Sequence, residues 1–193
     1  MQTIDLTIEC LKDVSKVDFF GRCLELTEFK MTGDTKFQMR SDQLDLMIDS
    51  FPPNLLKIEL SDFEDLSDLH IEKLVRKCNK ITEISLFHTN VTNQSVTTIV
   101  KHLKNSLEVL DLFDCDNVNL DNVFEAVRNL TQLNSLYYDV HTGTEKRCGK
   151  YVPIYAKLPK MCATCESLKK ERPGLIIYDG YGNNIANVDN YDD

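Results

Sequence analysis

The sequence predicts an α/β fold in which short parallel strands form one sheet and helices run back between them. Three observations carry this expectation: an apolar pattern with a fixed period, a helical rhythm in the second half of each period, and a shortage of glycine. With Leu-x-x-Leu-x-Leu as the template, matches begin at Leu55, Ile81, Leu107 and Leu133, in three steps of 26 residues. Two earlier matches begin at Met1 and Leu26, separated by 25 residues and followed by a step of 29. Seven glycines, with no GxGxxG or GxxxxGK, exclude the phosphate loops of nucleotide-binding α/β folds.

Each period starts as a strand, because template residues such as Ile58 and Leu60 alternate with polar ones. The second half has apolar residues at helical spacing. Leu44, Met47, Ile48 and Phe51 form the first such set, stopped by Pro52 and Pro53. Ile71, Leu74, Val75 and Cys78 follow Ser67, and Val96, Ile99, Val100 and Leu103 follow Thr92. Val123, Phe124, Val127 and Leu130 follow Asn119. Ser, Thr and Asn before the first turn are good N-caps, since their side-chain oxygens take up free backbone N–H groups. The period breaks over 139–172, where 42 residues separate Leu133 from Leu175. A terminal strand with Leu175 and Ile177 as core is expected within 168–180, and the polar, acidic residues 181–193 read as a disordered tail. Residues 1–180 therefore form one stacked unit, because no single repeat can bury both of its apolar faces alone.

The phrases CLELTEFKM (23–31), LSDLHIEKLVRKCNKITEISL (66–86) and SLEVLDLFDCDNVN (106–119) resemble the leucine-rich repeat family, in its cysteine-containing class of 26-residue units. The resemblance covers about residues 1–140. It implies a solenoid of about six repeats, with parallel strands on a concave face and helices on the convex face. Cys115, three residues after Leu112, holds the slot where the family bonds neighbouring backbone in the turn. Cys23 and Cys78 share another register, each three residues before a strand start. In style the repeats are similar to those of F-box leucine-rich-repeat proteins, which implies substrate recognition for a cullin-type ubiquitin ligase and contact with ligase subunits if an F-box precedes the chain. No segment before Leu24 has the length of an F-box. The alternative is a free-standing repeat scaffold or assembly factor.

Charge narrows the partner. A net charge of −9 argues against nucleic acid or an anionic membrane and favours a protein with a basic surface. No apolar run spans a membrane and no signal peptide is visible. Seven cysteines, an odd number, fit reduced thiols in cytoplasm or nucleus.

The outward slots of the strands give the candidate binding face. The slot between the last two core residues reads Asp5, Lys30, Glu59, Ser85, Asp111, Tyr137. The slot after the strand reads Thr7, Thr32, Ser61, Phe87, Phe113, Asp139, and the next Ile8, Gly33, Asp62, His88, Asp114, Val140. The expected partner-binding residues are Glu59, Asp62, Phe87, His88, Asp111, Phe113, Asp114 and Tyr137: adjacent rings as apolar anchors, set among acids that suit Lys or Arg. The competing reading is that the rings pack on each other and the acids only keep the surface soluble.

Neither catalysis nor a resident cofactor is expected. Asp111, Asp114 and Asp116 lack the glycine of a calcium loop. His70 and His102 read as solvent-facing on helices, and His88 as a partner of Asp62 or Asp114, which would raise its pKa. No nucleophile or zinc-protease motif is present. His141, Cys148, Cys162 and Cys165 could supply four zinc ligands at spacings of no familiar zinc module. Otherwise the two C-terminal cysteines lie idle on the last helix, and 139–172 is a binding loop.

Overall fold

A computed structural model of the chain describes residues 2–7, 23–33, 38–138, 163–178 and 184. Seven strands form one sheet in the order of the sequence, every neighbour parallel. They are β1 (Gln2–Thr7), β2 (Leu26–Thr32), β3 (Lys57–Ser61), β4 (Glu83–Ser85), β5 (Val109–Asp111), β6 (Ser135–Tyr137) and β7 (Ile176–Tyr178). Five helices alternate with them among the described residues: α1 (Ser41–Ser50), α2 (Asp68–Lys77), α3 (Asn93–Leu103), α4 (Leu120–Val127) and α5 (Ala163–Glu171).

The equal steps of the sequence become register. Phe29 lies opposite Ile58, which lies opposite Ile84, then Leu110, Leu136 and Ile177. All six are buried in one cluster with Leu44, Leu74, Ile99, Phe124 and Leu168 from the five helices. Among the described residues the helices thus cover one face of the sheet and leave the other open. Phe51, expected on the first helix, is instead its extended C-cap, where Pro52 follows, and its ring lies 4.7 Å from that of Phe29.

Polar side chains join successive helix starts. Thr92 and Asn119 cap α3 and α4 as their spacing predicts. Asp68, in the first turn of α2, accepts hydrogen bonds from the backbone N–H and hydroxyl groups of both Thr92 and Ser95. Four donors outweigh the upward push of burial and hold its carboxyl below the ordinary 3.8. Asn93 in turn accepts the N–H of Asn119 at 2.8 Å.

His70 corrects the expectation of a solvent-facing ring, being only 2% exposed. Its Nδ1 accepts the N–H of Ser67 at 3.0 Å, so the ring proton sits on Nε2, 3.1 Å from the Ser41 carbonyl oxygen. It fills the third position of a capping box and reaches back to the previous helix start. Helical spacing alone put His70 on the outer side; the neighbouring α1 is what covers it. His102 is half-buried.

Beyond each strand the ladder continues for a few residues before turning. The N–H of Asp62 bonds the Phe87 carbonyl, and that of His88 the Phe113 carbonyl, both at 3.0 Å. Asp62, His88 and Asp114 then have φ of 60°, 50° and 58°, left-handed conformations that Asp and His tolerate better than most side chains. The corresponding Gly33 is fixed by space rather than by φ, since a Cβ there would lie 2.2 Å from the Asp62 carbonyl oxygen. In the next turn Cys115 Sγ bonds the Leu86 carbonyl at 3.0 Å, the contact expected of that slot. The Cys115 thiol is pushed up to about 11 by burial, so it is a packing group rather than a reactive one.

At the far end, the strand expected within 168–180 is confined to β7, because α5 runs on to Glu171. The Arg172 guanidinium donates to the carbonyls of Val127 and Leu133 and ties this last unit to α4 and the turn after it. The candidate zinc ligands His141, Cys148 and Cys162 and the tail 181–193, apart from Asn184, lie outside the described residues. The same holds for Asp139, Val140, Ile8 and most of 139–172.

Candidate functional site

The open face of the sheet forms a hollow of about 540 Å³. Its floor is the outward side of β2–β6, where side chains two residues apart on each strand share a face. Of the eight expected binding residues, Glu59, Asp62, Phe87, Asp111 and Tyr137 line the hollow. His88, Phe113 and Asp114 stand outside its lining, and two of them are linked to it: Phe113 stacks on Phe87 and His88 bonds Asp62.

The expected aromatic pair is present. The rings of Phe87 and Phe113 lie 5.5 Å apart at 14°, stacked across β4 and β5 and both half-buried. They pack on each other, as the alternative reading required, yet remain partly open. A second pair escaped the sequence reading: Tyr137 and Tyr178 stack at 4.5 Å and 11° across β6 and β7. Tyr178 holds the same slot as Tyr137 in the last strand, and the break in period over 139–172 hid that alignment.

Charge is distributed unevenly around these rings. Lys30 Nζ meets Glu59 at 2.8 Å, and Lys57 Nζ meets Glu83 at 2.6 Å. Lys57 and Glu83 occupy the slot two residues before the acid column, outside the columns that the sequence pointed to. Nδ1 of His88 lies 2.6 Å from Asp62, and this bond holds the imidazole above its ordinary 6.5 despite partial burial, with Asp114 adding to the effect. Asp111 differs. Its Oδ2 accepts the Ser85 hydroxyl at 2.8 Å and its Oδ1 the Phe113 N–H at 3.0 Å. Burial raises its carboxyl above the ordinary 3.8 and repulsion from Glu59 contributes, while the two neutral donors pull it back.

The three acids that crowd the segment 111–116 therefore point to different tasks. Asp111 faces the hollow, Asp114 makes a left-handed turn at its edge, and Asp116 is exposed beyond it. Among the described residues, no three His, Cys, Asp or Glu side chains converge as a metal site would require. Ser61 lines the hollow as its slot predicts, yet it is only 3% exposed, with its hydroxyl turned on Glu59 at 3.4 Å. Among the described residues no helix is long and apolar enough to cross a membrane. No family model matches the chain.

Proposed function

We propose that the chain is a leucine-rich-repeat solenoid that binds a protein partner on its open, concave sheet face, without catalysis. The supporting observation is a seven-stranded parallel sheet with one face that no described residue covers, furnished with two half-buried aromatic stacks among carboxylates. Parallel sheets are normally covered on both faces. A bare one with rings and acids has the makings of an interface: aromatic anchors for affinity and charge for selection. Five carboxylates and two lysines line the hollow, an excess that favours a basic partner over nucleic acid or an anionic membrane.

The repeat phrases favour a substrate receptor of a cullin-type ubiquitin ligase working in cytoplasm or nucleus, where Cys78 and Cys115 stay reduced as free thiols. A free-standing scaffold would use the same face without ligase subunits. Affinity purification with mass spectrometry separates these readings. Wild type is expected to retain partners that a Phe87→Ser, Phe113→Ser double variant of intact circular dichroism loses. An unchanged set of partners overturns the assignment of the face. Recovery of a cullin adaptor from the full-length protein supports the receptor, and partners without any ligase subunit support the scaffold.

A further inference from the structure

The open face has two electrically different parts. Over β2–β4 it is mostly closed upon itself, because Glu59 and Glu83 each hold a lysine and Asp62 holds His88, while Glu28 accepts the Thr3 hydroxyl. Over β5–β7 it is not. Asp111 sits in register between Ser85 and Tyr137, with only the neutral donors Ser85 and Phe113 on its carboxylate. Among the described residues no cation pairs with it, and its carboxyl pays the cost of partial withdrawal from water. Each oxygen has accepted one hydrogen bond and retains a lone pair for a second.

Two rings adjoin this carboxylate, one across the strand and one along it. Adjacent strands lie about 4.8 Å apart, which puts Tyr137 beside Asp111, and Phe113 follows two residues along the same strand. Both rings belong to stacked pairs, held by Phe87 and Tyr178, so their positions are set before any partner arrives. A cation within about 6 Å of such rings is drawn to their π faces.

We infer that Asp111, with Phe113 and Tyr137, forms a subsite for an arginine side chain presented by a segment of the partner protein. This rests on the open-face reading above and names the chemistry that selects the partner. Guanidinium fits better than ammonium for two reasons. Its planar fork can take one hydrogen bond to each oxygen of a carboxylate, and it is weakly hydrated and stacks on aromatic rings. The excess of carboxylates over lysines in the hollow adds long-range attraction for a basic segment.

A random peptide library displayed on phage, selected on the full chain, supplies the probe. The selected peptides are expected to share an arginine beside an apolar residue. Replacing that arginine by glutamine, or Asp111→Asn in the protein, should each weaken binding about 10- to 100-fold. Making both changes should cost little more than either alone, the signature of a direct pair. Glu72→Gln, on α2 away from the hollow and paired with Arg76, should leave binding unchanged. Selected peptides without a basic residue, or with lysine preferred, overturn the arginine subsite, as does full affinity of Asp111→Asn. If such peptides still lose binding on Phe87→Ser, Phe113→Ser, the open face stands and only the subsite falls. If the wild-type chain selects no peptides beyond those that the double variant also selects, both readings fall.

Discussion

Asp68 and Asp111 are both partly withdrawn carboxylates, yet they sit in opposite regions and behave in opposite ways. Asp68, at the seam between α2 and α3, accepts four hydrogen bonds, and its carboxyl is held below its ordinary value. Asp111, on the open sheet face, accepts two, and burial holds its carboxyl above that value. The seam is saturated with donors because it joins two helices of the fold. The face is left short because nothing within the described chain supplies the missing charge. Where a fold satisfies its own polar groups, they act in stability; a group left short is available to something else.

The largest break in this comparison is expected at the seam. Asp68→Ala strands the donors of Thr92 and Ser95 and should cost about 1–3 kcal/mol in urea unfolding. Because the folded carboxyl of Asp68 is depressed, its contribution is present above the ordinary value of 3.8 and fades as the pH falls through the lowered one. The deficit of the variant should therefore shrink in acid.

Asp111→Asn should show a smaller effect of opposite sign. A raised folded pKa means that ionisation costs stability above it, and that the cost is absent below the unfolded value of 3.8. The asparagine can keep both bonds, its oxygen facing the Phe113 N–H and its amide donating to the Ser85 hydroxyl. The variant should thus be more stable than wild type at neutral pH, with the gain vanishing in acid, while losing affinity for arginine peptides. Equal stability at both pH values would mean that the carboxylate is at ease in the apo protein. The smallest change is expected at Glu83→Gln, where losing one exposed pair with Lys57 should cost no more than about 1 kcal/mol.

The two regions were not equally legible in the sequence. The sheet was: steps of 26 residues place Ile58, Ile84, Leu110 and Leu136 opposite one another, because equal repeats must stack in register. The columns of the open face followed, and with them the meeting of Phe87 with Phe113 and the choice of Asp62 or Asp114 for His88, which the structure resolves as Asp62. The seam was not legible. His70 read as solvent-facing and nothing singled out Asp68; only the neighbouring helix starts turn them into partners of Ser41 and Ser95. Periodicity reports which side of a helix is apolar, but not what the next helix lays against its first turn. Tyr178 was missed for a different reason, since the lengthened fifth unit moved it out of step with Tyr137.

The order of the strands has a mechanical consequence. Among the described residues each strand is bonded only to its neighbours in sequence, so no crosslink between described strands joins distant parts of the chain. Pulled from its ends, such a protein should come apart by peeling, terminal strands first, rather than in one rupture. Each regular unit has 26 residues and would release about 90 Å of extended chain, so a force trace should climb in even increments through the middle of the molecule. Tension applied through a bound partner would then be relieved a unit at a time, and the face would shorten before it was lost.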